Sequence, residues 1–255
     1  MINFINNDYD LLYQQRDDNY FKELHKIILE NNISLQSVLQ NYMVFTRRRE
    51  FAQSIAYYHL FEIVKNKPGS IAEFGVFLGN GLFTWSKLIE TFCPGVRGRK
   101  VFGFDSFEGY RGSNKTEKNY IKYIQDLHGH TFQPSVEIVK QLIRINETDN
   151  IIMGAKRIEL FSGDVKLTIG QMKSENPGVR FCLVMIDLNL FEPTKLVLEE
   201  IYELVIRGGV VAFRGYGVKP WEGESAAVDL FVKKNSLELK NFTFSPYPGA
   251  YLIKE

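Results

Sequence analysis

Apolar positions along the chain follow two different periods. Through residues 1–65 they recur at helical spacing, with Phe21, Leu24, Ile27 and Ile28 in one set and Phe51, Ile55, Tyr58 and Phe61 in another. Lys67-Pro68-Gly69 then breaks the pattern with a helix-stopping composition. Beyond it, short apolar runs at 70–75, 100–104, 157–161, 180–186 and 209–213 predict strands. Amphipathic stretches at 80–92, 136–147, 165–173 and 193–206 predict the helices between them. Strands alternating with helices imply a parallel sheet covered on both faces. The run Phe181-Cys182-Leu183-Val184-Met185-Ile186 suits a central strand buried on both sides. After a helix at about 223–235, strand-like pieces at 240–245 and 249–254 flank the turn-forming Ser245-Pro246-Tyr247-Pro248-Gly249, which predicts a closing hairpin. The expected fold class is α/β: a doubly wound, mostly parallel seven-stranded sheet with an antiparallel C-terminal edge. Residues 1–66 are expected to form an N-terminal helical cap on a domain spanning 67–255. Residues 106–135 are polar and too long for an ordinary connection, so they read as cover over a site.

Composition narrows the function without naming it. With 45% hydrophobic and 24% charged residues, the 255-residue chain has an ordinary globular make-up. Lys plus Arg is 31 against 30 for Asp plus Glu, so the basic excess of a general nucleic-acid binder is missing. No stretch reaches the ~20 apolar residues of a membrane span. Met1-Ile2-Asn3-Phe4 leads into Asp8 and Asp10 without the make-up of a targeting signal, and a cytoplasmic location is the expectation. Cys93 and Cys182 each sit among apolar residues and read as free thiols in a reducing compartment.

The strongest chemical signal is Glu73-Phe74-Gly75-Val76-Phe77-Leu78-Gly79-Asn80-Gly81, where the first strand should end and a helix begin. Glycines let a ligand approach the backbone, and a helix N-terminus offers free N–H groups. The spacing G-x-x-x-G-x-G differs from the dinucleotide fingerprint G-x-G-x-x-G, which argues against a nicotinamide-dependent oxidoreductase, and no phosphate-binding G-K-[ST] follows. Taken alone, the turn could use its glycines for packing only. Three more predicted strands also end in an acid: Asp105, Asp164 and Asp187. Asp164 reads equally well as a helix N-cap. Carboxylates along one sheet edge describe a crevice for a ribose-bearing cofactor.

On these residues the chain resembles the class I S-adenosylmethionine-dependent methyltransferases, and more narrowly the macrocin O-methyltransferase family, which methylates sugar hydroxyls. The likeness runs from about Thr46 to the C-terminus. It rests on Glu73-Phe74-Gly75-Val76, Phe104-Asp105-Ser106-Phe107-Glu108-Gly109, Gly163-Asp164, Ile186-Asp187, Phe191-Glu192-Pro193-Thr194 and Trp221-Glu222-Gly223-Glu224 before Ala227-Val228-Asp229. The resemblance implies that Glu73, Gly75 and Gly79 line the methionine part of the cofactor, that Asp105 and Ser106 hold its ribose, and that Gly163-Asp164 lie by the adenine. Phe77 and Asp187 complete the expected cofactor set, and the helix from Thr46 to Ala52 resembles an element that folds over the cofactor.

One departure stands out. The family typically binds a divalent metal through the fourth-strand aspartate and an acidic pair after the fifth strand. Asp187 matches the first, but Arg214-Gly215 stands where the pair belongs, and Asn189 replaces a further acid. Mg²⁺ wants oxygen ligands, so no family-type metal site is expected here. Arg214 is open to three readings: a structural partner of Asp187, a binder of an anionic acceptor or oxyanion, or the mark of a silent fold kept for binding cofactor or partner. For a base, His128 and His130 in the cover segment stand beside Asp187. The expected partner is a small or glycan-linked acceptor, possibly phosphorylated or nucleotide-linked, and a homo-oligomer is possible. Phe74, Phe77, Phe83 and Trp85 read mostly as core, the run Arg47-Arg48-Arg49 as a solvated face, and Trp221 as a candidate site wall.

Overall fold

The computed structural model describes residues 7–109, 118, 134–218 and 222–255. His128, His130 and Trp221 lie outside the described residues, as does most of the 106–135 segment. The chain divides into two compact units between Phe51 and Ala52.

The first unit holds α1 (Asn7–Glu30), α2 (Leu35–Gln40) and α3 (Tyr42–Phe45). Ser34 caps α2, its hydroxyl accepting from the Ser37 N–H at 3.1 Å. Arg47 pairs with Asp17 at 2.9 Å and with Glu50, and its guanidinium lies 4.6 Å from the centre of the Phe21 ring. Arg49 pairs with the same two acids. Two arginines of the 47–49 run are therefore engaged within this unit.

Helix α4 (Arg48–Val64) carries the chain into the second unit, a six-stranded sheet wrapped by helices. Its strands are β1 (Ser70–Phe74), β2 (Val101–Asp105), β3 (Ile158–Ser162), β4 (Phe181–Ile186), β5 (Val205–Phe213) and β6 (Ala250–Ile253). They lie in the order β3-β2-β1-β4-β5-β6, and only β6 runs antiparallel. Five helices intervene: α5 (Asn80–Phe92), α6 (Val136–Glu147), α7 (Val165–Glu175), α8 (Phe191–Ile201) and α9 (Glu222–Asn235). One face of the sheet buries Ile71, Leu183 and Met185 under Leu60, Trp85, Ile89 and Val139, from α4, α5 and α6. The other buries Phe74, Phe104 and Ile186 under Ile169, Val197 and Val228, from α7, α8 and α9. Three helices on each face make the doubly wound arrangement that the alternation predicted. Phe74, Phe104 and Phe161 stack across β1, β2 and β3 with ring centres 4.4 and 5.1 Å apart.

Three expectations are corrected. The piece at 240–245 contributes a single antiparallel bridge, Lys240 to Tyr251, so the sheet has six strands among the described residues. Its alternation reads as a strand, but Phe242 and Phe244 enter an aromatic cluster with His59 and Tyr251. The helix expected at 193–206 ends at Ile201, and a 3₁₀ turn leads into β5 at Val205. A bulge there carries Gly208 at φ +71°: Phe181 pairs with Val205 and Leu183 with Val210. The buried stripe of α4 only partly follows the set read in the sequence: Phe61 is buried as expected, but Ala56, Tyr57, Leu60 and Val64 complete the inward face and Phe51 is exposed. Small alanines let this helix approach the sheet.

At the opposite end of the sheet from the strand-end acids, Arg157 is fully buried, paired with Glu90 and donating to the carbonyls of Pro94, Val96 and Arg99. A cavity of about 560 Å³ opens at the same end, bordered by Ser70, Lys100 and Arg180 at the starts of β1, β2 and β4. None of the strand-end acids reaches it. Both cysteines are free, Cys182 buried and Cys93 half-buried. Among the described residues, no helix is long and apolar enough to cross a membrane.

Candidate active site

The strand order reverses where β1 lies between β2 and β4, the position at which open α/β sheets form a ligand crevice at their C-terminal edge. Gly75 ends β1 there at φ +94°, and a Cβ on it would lie 2.1 Å from the Asp187 carbonyl oxygen. Only glycine lets the ends of β1 and β4 meet this closely. Phe77 follows at φ +51° with 55% of its surface exposed, so it is not the core residue expected of it, whereas Phe74 and Trp85 are fully buried. Left-handed backbone costs a bulky residue ~1–3 kcal/mol unless its surroundings enforce it. Asp105 enforces it. One carboxylate oxygen accepts from the N–H groups of Val76 and Phe77, each at 2.8 Å, and the other accepts from Phe107, also left-handed, at 2.8 Å. Ser106 accepts from the Glu108 N–H at 3.2 Å.

Beneath this turn lies Glu73, 4% exposed, whose carboxylate accepts from the Trp85 indole N–H at 2.7 Å. Trp85 in turn stacks on Tyr57 at 4.7 Å, and the Gln53 amide donates to the Tyr57 hydroxyl at 3.0 Å. A Cβ on Gly81 would come within 2.5 Å of both Glu73 carboxylate oxygens, so helix α5 starts directly upon that acid. Burial pushes the Glu73 carboxyl up to about 8, with the nearby Asp187 charge adding to the effect.

A pH dependence of stability follows. Between the unfolded value of about 4.5 and the folded value of about 8, the fold keeps a proton on Glu73 that the unfolded chain has lost. Unfolding then releases a proton, so stability falls as pH rises, by up to ~1.4 kcal/mol per pH unit for each such carboxyl. Glu73→Gln is expected to flatten the fall in urea midpoint between pH 5 and 8 and to leave the variant more stable than the wild type at pH 8. Equal slopes would show that Glu73 is ionised in the fold.

Farther along the same edge, Gly163 sits at φ +136° and Asp164 caps α7, accepting from Lys166 at 2.9 Å and Leu167 at 3.4 Å. The capping reading of Asp164 is thus realised. Thr46 belongs to the first unit, where its hydroxyl donates to the Tyr42 carbonyl at 2.7 Å.

On the other side of β1, Asp187 ends β4 and Arg214 follows β5, their side chains 3.5 Å apart. The Asn189 amide donates to Asp187 at 3.4 Å, and the Arg214 guanidinium lies 4.5 Å from the centre of the Tyr247 ring. Burial pushes the Asp187 carboxyl above the usual carboxylate range, and the Arg214 charge opposes that shift. Next to them lies an acid whose place the sequence did not reveal. Glu224 in the first turn of α9 is fully buried and accepts from the Asn189 N–H at 3.0 Å and the Gly215 N–H at 2.7 Å. Its sequence signals are its place in the run Trp221-Glu222-Gly223-Glu224 and the glycine before it, where a Cβ would meet the Phe191 nitrogen at 2.8 Å. The donor set does not fit a divalent metal: a guanidinium and an amide flank Asp187, and no group of three His, Cys, Asp or Glu among the described residues could hold one.

The model of the macrocin O-methyltransferase family matches residues 30–242. The chain belongs to that family. As a macrocin O-methyltransferase family member it is an S-adenosylmethionine-dependent O-methyltransferase. Among solved structures, the calicheamicin methyltransferase CalS11 is 26% identical over 93% of this chain and 92% of that one, with a TM-score of 0.79. An apo structure of CalS11, described as a TDP-rhamnose 3'-O-methyltransferase, is 28% identical over 93% and 94% of the two chains, with a TM-score of 0.74. The O-methyltransferase NovP shares the fold at 20% identity and a TM-score of 0.61, covering 80% of this chain and 79% of its own. No curated protein matches by sequence. In this family member the donor types at the sheet edge fit the cofactor: the Asp105 carboxylate stands at the end of β2, where open sheets receive a ribose, and Glu73 adds a second acid at the end of β1.

Proposed function

We propose that this cytoplasmic enzyme methylates a hydroxyl of a sugar-type acceptor that carries an anionic group, as in a phosphorylated or nucleotide-linked sugar, and does so without a divalent metal. The observation that carries the reading is Arg214 paired to Asp187 at the strand ends where relatives of this family would hold a metal. A planar guanidinium recognises phosphate by paired hydrogen bonds. CalS11, described as acting on TDP-rhamnose, supports a nucleotide-linked acceptor for this chain.

S-adenosylmethionine, when bound, supplies an electrophilic methyl on a sulfonium that is already a good leaving group. Glu73, Gly75, Phe77 and Gly79 would line its methionine part, Asp105 and Ser106 its ribose, and Gly163-Asp164 its adenine. What remains for the chain is to align the acceptor oxygen and take its proton. Asp187 is the base within the described residues, its proton affinity raised by burial and trimmed by Arg214. His128 and His130 are the alternative bases. Arg214 offsets the negative charge that builds on the acceptor oxygen.

The test is transfer of labelled methyl to TDP-rhamnose and to a neutral rhamnoside, each with EDTA and with excess Mg²⁺. Equal turnover of the TDP-sugar in both conditions, with the neutral acceptor at least about tenfold poorer in kcat/KM, is expected. A requirement for Mg²⁺ overturns the metal-free reading, and equal use of the neutral acceptor overturns the anionic one.

A further inference from the structure

Glu224 is a buried acid that the proposed chemistry does not use. It sits between the two loops that matter most. Asn189 is two residues after Asp187, and Gly215 immediately follows Arg214. The backbone N–H groups of both residues converge on this one carboxylate, at 3.0 and 2.7 Å. Asn189 is held at φ +64° and turns its own amide back to Asp187. Gly223 removes the side chain that would otherwise keep α9 off the loop after β4. Ser225 continues the seam, accepting from the Gly217 N–H at 3.0 Å, and the Tyr216 hydroxyl donates to Asp229 at 2.7 Å. The loop after β5 is therefore laced to α9 residue by residue, and Glu224 also reaches the loop after β4.

We propose that Glu224 is a positioning residue: its carboxyl group clamps the loops after β4 and β5 so that Asp187 and Arg214 stay paired beside the acceptor site. This rests on the proposed role of that pair in methyl transfer. Here each N–H is taken by a different carboxyl oxygen, so an amide in the same place would turn an N–H toward one of the two donors. Burial of the acid is supported by the same geometry, since each N–H satisfies one oxygen and the α9 N-terminus favours negative charge.

The test is Glu224→Gln, which keeps the shape but turns an amide N–H toward one of the two donors. Two readouts are taken: kcat and KM with TDP-rhamnose, and the titration of the Asp187 carboxyl followed by ¹³C NMR. The expected result is an unchanged affinity for S-adenosylhomocysteine, a kcat lower by about tenfold or more with little change in KM, and an Asp187 titration moved upward. The direction is decisive. Burial pushes the Glu224 carboxyl up to about 8, so its removal alone leaves the Asp187 midpoint in place or, where Glu224 is ionised, lowers it, whereas releasing Arg214 from its register raises it. A midpoint that stays or falls, or an unaltered kcat, overturns the proposal. Should the wild type methylate no TDP-sugar, the proposed function fails, and the titration alone still decides for or against the clamp. Should Glu224→Gln not fold, Glu224→Asp, too short to reach both N–H groups, is read by the same measures.

Discussion

Arg214→Ala is expected to lower turnover of a TDP-linked sugar by roughly 10²–10³-fold while S-adenosylhomocysteine binds as in the wild type. Two losses combine. The guanidinium that meets the acceptor's negative charge is gone, and Asp187 loses its cationic partner 3.5 Å away. Burial already holds the Asp187 carboxyl above its usual range, and without Arg214 it rises further, so more of the base is protonated near neutral pH. The deficit of Arg214→Ala should therefore shrink as pH rises, a dependence that a purely structural salt bridge would not produce. Arg214→Lys keeps the charge but not the planar fork, and should recover part of the loss. Near-normal turnover in Arg214→Ala would assign the pair to structure alone. The measurements are steady-state kinetics from pH 6 to 9 beside calorimetry with S-adenosylhomocysteine.

The reach of the sequence differs from element to element for physical reasons. β4 was readable because a strand buried on both faces needs an uninterrupted apolar run, and Phe181–Ile186 is one. The segment at 240–245 carries the same local alternation, but its two phenylalanines find partners in His59 and Tyr251, a long-range outcome that no local period encodes. The four strand-end acids were legible as a row, yet their individual surroundings were not. Glu73 meets an indole from twelve residues on, Asp105 meets the backbone of another turn, Asp164 caps its own helix, and Asp187 meets Arg214. Only the capping is local; the pairing of Asp187 with Arg214 was one of the readings open from the sequence, and the partners of Glu73 and Asp105 had no local signal. Glu224 was harder still. Among Glu222, Gly223 and Glu224 at a helix start, acids ordinarily face solvent, and its burial arises from where α9 lands against two distant loops.

Asp105→Ala is expected to weaken S-adenosylhomocysteine binding by roughly 10²-fold or more, because this carboxylate has two tasks. It fixes the turn that must receive the cofactor, holding Val76, Phe77 and Phe107 by three backbone N–H bonds of 2.8 Å. It also stands at the strand end where the ribose hydroxyls would be taken. Three donors leave a carboxylate with about one lone-pair direction unfilled, so a diol can be gripped by both hydroxyls only if one backbone bond is shared or yields. The two tasks separate experimentally. Comparing S-adenosylhomocysteine with its 2'-deoxy analogue in wild type and in Asp105→Ala isolates the ribose contact as the coupling between the two changes. If Asp105 grips the ribose, the deoxy analogue binds more weakly to the wild type and no more weakly to Asp105→Ala. If Asp105 serves only the turn, the missing hydroxyl costs both proteins equally, while Asp105→Ala still loses affinity through Phe77 and Phe107, freed from their left-handed conformations. Full affinity in Asp105→Ala would remove Asp105 from the site on both counts.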